Sequence, residues 1–389
     1  MNRSVVIQKL ETKAKRKIVI SDIHGNLDLY LKLLDQISYK PNEDCLILLG
    51  DLIEKGKRNL DTLHYIMHRV QNEDVHCIMG NCDFIAKNVL YSYRLDFLKH
   101  VLGFRKESLI HEMARNLNFE ITHNSNMANV CQILRKHYLK ELCFLNDLPH
   151  VLEDENHIYV HAGIESNENY GTDFKQVMTH AFFLETNEVF KKNVVVGHMP
   201  VTEYCTHIAS FDPIYDAKHN IYSIDGGNMV KYGGQLNALI FEDNTVKMDR
   251  CDFLQERKVI HDVKYHTQIP FFITFNHGNI QILEQHSIQS KVYCPYNNRT
   301  FWVENEFVTK DMKAYDYTNY EIPLKKGDTV KEVFAYQDKV QIKKNGILGW
   351  TYRSNLVYHS FFSIACSKYV INALTSSSLV CQLVTNRMT

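Results

Sequence analysis

The sequence is poor in glycine and proline, with 16 and 7 of them among 389 residues. Collagen-like and long low-complexity chains are rich in these residues, so the composition excludes both classes. Neither sign of charge is in excess, because 44 Lys and Arg face 45 Asp and Glu. We therefore expect no bulk electrostatic binding to nucleic acid or to an acidic membrane.

Paired cysteines and an apolar leader are also missing. The ten cysteines include no C-x-x-C pair, and the chain is too long for a small disulfide-stapled domain. Reduced thiols in a cytoplasmic protein are the expectation. The first 20 residues lack the apolar segment of a secretory signal. Phe361 to Val384 is apolar, but Lys368 and several Ser and Thr interrupt it, so we expect a packed or frayed tail and no membrane span.

The first 250 residues alternate β-rich runs with segments of helical period. Residues 17–21, 44–50 and 75–80 are β-rich, and Asn26 is a good N-cap for the helix-period segment that follows it. This β-α-β-α-β order predicts a largely parallel sheet covered by helices. A helical insertion is predicted at 84–150. Strand-like runs then resume more closely spaced and predict a second sheet, at 157–163, 193–198, 220–226 and 235–242.

After about residue 250 the helical period disappears and short strands dominate. We predict a β-rich connecting region at 251–320 and a small β domain at 321–358. The latter resembles a bacterial SH3-like repeat through its Lys-Lys-Gly-Asp turn at 325–328 and through Gly349 and Trp350 before the last strand. A tail of unknown structure is left at 359–389. The predicted fold class is α/β, an α+β sandwich of two sheets flanked by helices, with a smaller mainly-β C-terminal region.

Six polar residues of metal-binding types each follow a β-rich run. In parallel sheets, sites collect at the carboxyl ends of the strands, where the loops separate. Six oxygen and imidazole donors suit two divalent cations about 3.5–4 Å apart, which is a common arrangement for phosphoryl transfer. A single histidine at a strand end is more often a core residue, but six such residues in series are not expected by chance. The six are Asp22, His24, Asp51, Asn81, His161 and His198.

The motifs around these residues occur in a characteristic order: DIHGN at 22–26, GDLIEKG at 50–56, GNCD at 80–83, VHAG at 160–163 and GHMP at 197–200. From about Ile18 to Gly227 this order resembles the calcineurin-like metallophosphoesterase superfamily. Within it, the resemblance is to the branch of serine/threonine phosphoprotein phosphatases and diadenosine-tetraphosphate hydrolases. The resemblance implies a metal-dependent phosphoesterase with a two-sheet core.

The resemblance also implies a role for each donor. Asp22 and His24 would bind one ion and Asp51 would bridge both, while the second ion would be held by Asn81, His161 and His198. A water between two such ions loses a proton near neutral pH and can attack a phosphate ester as hydroxide. This mixed donor set favours Mn, with Fe, Zn or Ni as alternatives, over Mg or Ca.

Two residues depart from the protein-phosphatase pattern. Cys82 stands where that branch has a histidine thought to protonate the leaving group, and Lys55 stands where it has a phosphate-binding arginine. Cys82 is either a weak proton donor or a buried filler, and Asp83 is a further candidate acid. Lys55 either contacts phosphate or is a solvated turn residue. We expect Glu54 and Asp225 to support the site without binding metal.

Three functions remain open on this evidence. The first is a phosphatase of the phosphoprotein type. The second uses the same site on phosphodiesters or dinucleoside polyphosphates, whose leaving groups need less acid help. The third is a phosphatase-like scaffold that binds a peptide or protein partner through its SH3-like region. The expected substrate is accordingly a phosphorylated protein, a small molecule or a nucleotide, with no nucleic-acid or membrane partner.

Overall fold

The computed structural model describes residues 2–243, 245–264 and 266–358. The predicted tail at 359–389, including Phe361 to Val384, lies outside the described residues. Among the helices that are described, none is long and apolar enough to cross a membrane. The eight cysteines in the described part of the chain are all free, and six of them are buried.

The described residues up to Cys251 build two sheets and eight α-helices. The strands are β1 (Ile7–Lys9), β2 (Arg16–Ile20), β3 (Asp44–Leu48), β4 (Val75–Cys77), β5 (Val151–Glu153), β6 (His157–Val160), β7 (Asn193–Val196), β8 (Ile214–Asp216), β9 (Ile221–Ser223), β10 (Leu236–Glu242) and β11 (Thr245–Cys251). The helices are α1 (Leu27–Gln36), α2 (Asn59–Asn72), α3 (Ile85–Tyr91), α4 (Leu95–Phe104), α5 (Leu109–Asn116), α6 (Met127–His137), α7 (Leu139–Asp147) and α8 (Phe174–Met178).

The strands pair in two layers, which confirms the predicted two-sheet core. The assignment of the run at 235–242 to the second sheet was wrong, because this run forms β10 and pairs antiparallel with β2 in the first sheet, a long-range pairing that the spacing of strand-like runs does not reveal. One sheet has the order β11-β10-β2-β3-β4 and the other has the order β1-β5-β6-β7-β9-β8. In the first, β2, β3 and β4 run parallel, whereas β10 runs antiparallel to β2. In the second, β6, β7 and β9 run parallel. The carboxyl ends of six strands therefore lie near one another at one end of the core.

Apolar side chains fill the space between the two sheets and the space under the helices. Val19, Ile47 and Leu239 from one sheet are in a common buried cluster with Tyr159 and Val195 from the other. The opposite faces of the strands pack in a second and larger cluster with the helices. Alternation along each strand explains this division, because successive side chains point to opposite faces.

Capping begins α1 where the sequence predicts it. The side chain of Asn26 accepts a hydrogen bond from the N–H of Leu29 at 3.4 Å. One face of α1 is buried, including Leu29, Tyr30 and Leu33. The helix thus starts within a few residues of the end of β2, which leaves only a short loop for Asp22 and His24.

The described residues after Cys251, called the C-terminal region below, contain strands, connecting loops and two short 3₁₀ turns, with no α-helix among them. Its strands are β12 (Gln255–Lys258), β13 (Phe272–Ile273), β14 (Gln281–Gln285), β15 (Gln289–Cys294), β16 (Arg299–Glu304), β17 (Tyr317–Thr318), β18 (Thr329–Tyr336), β19 (Lys339–Lys344) and β20 (Ile347–Tyr352). They form sheets of four, three and two strands. The division at 250 and 320 and the SH3-like character of 321–358 stay predictions.

Candidate metal centre

Each of the six predicted metal ligands lies just beyond the carboxyl end of a strand. Asp22 follows β2, Asp51 follows β3, His161 follows β6 and His198 follows β7 within three residues. Four of the six have a left-handed backbone, at φ of +55° for Asp22, +51° for His24, +49° for Asp51 and +66° for His198. Such a conformation costs a non-glycine residue of order 1–3 kcal/mol and is retained only where the surroundings impose it.

Asp51 lies between two groups of donors. Its Oδ2 is 3.8 Å from Nε2 of His24, and its Oδ1 is 3.5 Å from Nε2 of His161. Asp22 completes the first side, with Oδ1 3.7 Å from Nε2 of His24. Asn81 is on the second side, with Oδ1 3.0 Å from Nε2 of His161. The two oxygens of one carboxylate thus face different donors, an arrangement that allows Asp51 to bridge two ions.

His198 lies with Asn81 and His161 on the second side of Asp51. Its surroundings show whether the site suits a bound cation. Its ring centroid is 5.0 Å from that of His161, and both of its ring nitrogens are buried with no hydrogen-bond partner in the described residues. Burial first, and then His161, lower the pKa of His198 to about 3, so the ring is neutral. A buried polar nitrogen without a partner costs about 1–3 kcal/mol, and a neutral imidazole is the form that binds metal. The donor set fits divalent cations.

Hydrogen bonds to backbone carbonyls orient the other two histidines. Nδ1 of His161 lies 2.7 Å from the carbonyl oxygen of Leu49, and Nδ1 of His24 lies 3.4 Å from that of Ile53. A proton on Nδ1 leaves Nε2 as the unprotonated ring nitrogen, on the side of the ring that faces Asp51. Carbonyl partners of this kind fix both tautomer and ring direction in metal sites.

Two glycines allow the loops to approach closely. A Cβ built on Gly197 would lie 1.7 Å from Oγ of Ser21, and one on Gly80 would lie 2.2 Å from the backbone N of Asp51. Either contact would push apart the loops that carry the donors. Glycine at these two positions therefore permits the close approach of the loops that carry the donors.

Burial and the surrounding charges shift the pKa values of Asp22 and Asp51 in opposite directions. Burial raises the pKa of Asp22, and the nearby Asp51 adds to this effect. Burial would also raise the pKa of Asp51, but His161, His24 and Lys55 outweigh it and hold that pKa below its ordinary value. Asp51 is therefore the more firmly ionised carboxylate, between two histidines and an ammonium group.

The three other predicted catalytic residues all lie at this site. Nζ of Lys55 is 2.9 Å from Nε2 of His24. The N–H of Cys82 donates to Oδ1 of Asp51 at 2.7 Å, and the thiol is buried. Asp83 accepts hydrogen bonds from the N–H groups of Leu52 at 3.0 Å and Gly80 at 2.8 Å. Asp83 therefore ties together the loops of Asp51 and Asn81.

Sequence reasoning missed a buried arginine beside Cys82. Nη2 of Arg105 is 3.7 Å from Sγ of Cys82, and its Nη1 is 2.8 Å from Oε2 of Glu54. The supporting role expected of Glu54 now has a named partner. Arg105 lies just after α4, and no motif in the sequence connects it with GDLIEKG.

Asn228 is a second residue that the motifs did not single out. Its Nδ2 donates to the carbonyl oxygens of Asp22 at 3.1 Å and Ile23 at 2.8 Å. Asp225, which was expected to support the site, accepts from the N–H of Gly227 at 2.7 Å. The position of Asn228 directly after the Gly226-Gly227 pair was the available signal.

Comparison with known protein families matches residues 15–227 to the calcineurin-like phosphoesterases. The match covers more than half of the 389 residues, and the chain belongs to this family. It is therefore a metallophosphoesterase of a dimetal-dependent family. Two groups of candidate ligands each have their ligand atoms within 4.8 Å of one another at this site. One consists of Asp22, Asp51 and His161, and the other of His24, Asp51 and Cys82.

Individual relatives match smaller parts of the chain. A symmetrical bis(5'-nucleosyl)-tetraphosphatase of Yersinia pestis is 43% identical over 65 residues, which are 17% of this chain and 22% of that relative. A solved structure assigned as a diadenosine tetraphosphatase is 19% identical, with a TM-score of 0.42, over 63% of this chain and 98% of its own. A serine/threonine phosphatase from Saccharomyces cerevisiae is 9% identical, with a TM-score of 0.36, over 65% and 85%.

Proposed function

We propose that this metallophosphoesterase hydrolyses the phosphoanhydride bonds of dinucleoside polyphosphates with two Mn²⁺ ions. The observation that carries the proposal is the residue at position 82. Cys82 stands in the GNCD motif next to Asn81, with its thiol buried against Arg105. An ordinary thiol has a pKa of about 8.5, against about 6.5 for imidazolium, and is a poor proton donor at neutral pH.

A poor proton donor at position 82 affects which leaving groups the site can expel. When a phosphoanhydride is cleaved, the departing oxygen belongs to a phosphate and leaves as a stable anion without a proton. When an alkyl phosphate such as phosphoserine is cleaved, the departing alkoxide needs a proton, and general acid catalysis is typically worth 10²–10⁴-fold. A site without a strong acid at position 82 therefore favours anhydrides.

We assign the six converging donors as the metal ligands, with Asp51 between the two ions. Bound divalent ions would neutralise phosphoryl oxygens and lower the pKa of a bound water. Asp51 holds a firm negative charge there, and the carbonyl bonds of His24 and His161 keep their Nε2 atoms directed at the same space. A set of imidazole, carboxylate and amide donors suits Mn²⁺.

The positive side chains of the site have a separate task in this proposal. The substrate carries several negative phosphates, and Lys55 presents an ammonium group 2.9 Å from His24. A lysine acts on phosphate as a point charge, without the two-pronged geometry of arginine. Lys55 would therefore bind a phosphate oxygen next to the ions, while Arg105 stays paired with Glu54 behind it.

The relatives add support for a nucleotide substrate. The Yersinia pestis protein that shares 43% identity over 65 residues is a symmetrical bis(5'-nucleosyl)-tetraphosphatase. Symmetrical cleavage of diadenosine tetraphosphate by water gives two molecules of ADP. A cytoplasmic location fits this substrate and the free cysteines of the described residues. A peptide or protein ligand of the SH3-like region stays a prediction.

A substrate panel tests the proposal. Purified protein with Mn²⁺ would be given diadenosine tetraphosphate, an aryl phosphate, a bis-aryl phosphate and a phosphoserine peptide. We expect kcat/KM to be highest for the dinucleotide, with ADP as its only nucleotide product, and at least about 10²-fold lower for the phosphopeptide. A higher kcat/KM for the phosphopeptide would contradict the proposal and support the second candidate.

That second candidate is a phosphomonoesterase of the phosphoprotein type. It is favoured by the order of VHAG, GHMP and the Ile224-Asp225-Gly226-Gly227 run, which follows the protein-phosphatase branch. The same ligands would serve it. It requires a proton donor other than Cys82, and Asp83 is the nearest carboxyl group in sequence.

A further inference from the structure

A buried cluster of three charged side chains joins the two-sheet core to the C-terminal region. Nζ of Lys231 is 2.6 Å from Oε1 of Glu203 and 2.7 Å from Oδ1 of Asp316. The side chains of Lys231 and Glu203 are only 5% and 2% exposed, and that of Asp316 is 15% exposed. Charges taken out of water in this way are tolerated only when they are paired and hydrogen-bonded.

Glu203 connects this cluster to the loop of His198. Glu203 lies five positions after His198 in sequence, in the short helical turn Val201–Tyr204. Its Oε2 accepts from the N–H of Asn276 at 3.1 Å and from Nδ2 of the same residue at 2.7 Å. The loop that carries His198 is therefore hydrogen-bonded to the C-terminal region.

Lys231 connects the cluster to the other side of the metal centre. It lies three residues after Asn228, whose side chain donates to the carbonyl oxygens of Asp22 and Ile23. The N–H of Lys231 donates to the carbonyl oxygen of Gly227 at 2.9 Å, which closes the turn that contains Asn228. The position of Lys231 and the position of Asn228 are thus set by one compact turn.

From these contacts we infer that Lys231 is a positioning residue for the metal centre, held by Asp316 of the C-terminal region. Its ammonium group joins the loop of His198, through Glu203, to the turn whose Asn228 contacts Asp22. Supports of this kind act on a metal site because small displacements of the ligands weaken binding. The inference uses the ligand set proposed above but does not depend on the identity of the substrate.

Asp316 offers the cleanest test, since it lies far in sequence from every proposed ligand. In the full-length chain, Asp316→Ala removes the acceptor, whereas Asp316→Asn keeps an oxygen that can accept from Lys231. Mn²⁺ affinity would be measured by calorimetry, and the exchange-coupled signal of an Mn²⁺ pair by electron paramagnetic resonance. We expect Asp316→Ala to weaken Mn²⁺ binding about tenfold or more and to diminish the coupled signal, and Asp316→Asn to stay close to the wild type.

Asp328→Ala is the matched control, because it removes an ion pair with Lys344 inside the same region. It should bind Mn²⁺ as the wild type does. Wild-type affinity in a folded Asp316→Ala protein would overturn the inference. If Asp316→Ala does not fold, Lys231→Met tests the same connection, because it removes the ammonium group that joins Glu203 to Asp316, and wild-type affinity there is equally contradictory. A wild type that binds no Mn²⁺ would refute the ligand set and this inference with it.

Discussion

Nη1 of Arg105 donates to Oε2 of Glu54 at 2.8 Å, and both side chains are buried directly behind the loop of Asp51 and Lys55. Glu54 also accepts from Oγ of Ser108 at 2.8 Å. The pair holds the GDLIEKG loop against the segment between α4 and α5. It stands next to Cys82 without being exposed to solvent.

Arg105→Met should therefore destabilise the protein strongly. The change leaves the Glu54 carboxylate buried without its counter-ion, and breaking a buried pair in this way costs about 3–5 kcal/mol of unfolding free energy. Urea denaturation measures the loss. The double variant Glu54→Gln with Arg105→Met should recover most of it, because no charge is then left alone. Equal stability of Arg105→Met and the wild type would contradict this account of the pair.

The contact between Arg105 and Glu54 could not be predicted from the sequence. The six proposed ligands were predictable because each follows a β-rich run, so local pattern and parallel-strand geometry place them together. Glu54 and Arg105 lie on different elements, 51 residues apart, and only the packing of α4 and α5 brings them into contact. Such a pairing leaves no periodic signal along the chain.

Two features of the strands could likewise not be predicted from the sequence. The run at 328–343 reads as one alternating strand, but Gln337, at φ +51°, turns the chain between β18 and β19. No glycine, proline or asparagine marks that turn. Strand β11 was not predicted: it lies at the edge of its sheet, and most of its residues are exposed or half-buried although Val246 and Met248 alternate with polar residues.

Replacing Cys82 with histidine tests the leaving-group argument. Cys82→His supplies imidazole at the position where the protein-phosphatase branch has it. We expect alkyl phosphates to be hydrolysed faster, by about 10²-fold, with little change for diadenosine tetraphosphate, because a phosphate leaving group does not wait for a proton. Turnover across a series of phenyl and alkyl phosphates measures this.

The matched control for that series is Cys82→Ser, which removes the thiol without adding a base. It should keep the steep dependence on leaving-group pKa that we expect of the wild type. If the wild type already shows a flat series, and Cys82→His gains nothing, then another group supplies the proton and the preference for anhydrides loses its basis.

His150 gives the stability a defined dependence on pH. Its Nδ1 accepts from the N–H of Val6 at 2.9 Å, and burial, together with Lys87, lowers its pKa from 6.5 to about 4. Between these values the unfolded chain binds a proton that the folded protein does not. The contribution is thus fully present above pH 6.5 and is lost as the pH falls towards 4, by about 3 kcal/mol at 1.36 kcal/mol per pKa unit.

His150→Asn keeps an acceptor for Val6 but does not titrate. In a chelating buffer, urea denaturation at several pH values should show the wild type losing stability relative to His150→Asn between pH 6.5 and 4. Two curves that stay parallel over this range would mean that His150 does not titrate differently in the folded and unfolded states.

Six side chains on five loops are proposed to bind two metal ions, with Asp51 between the ions. The most direct measurement is the metal content of the Mn²⁺-loaded protein by elemental analysis, for the wild type and for Asp51→Asn, together with hydrolysis of diadenosine tetraphosphate. We expect about two ions per wild-type chain, loss of at least one ion in Asp51→Asn, and loss of turnover in that variant. Two ions and near-normal turnover in Asp51→Asn would contradict this proposal.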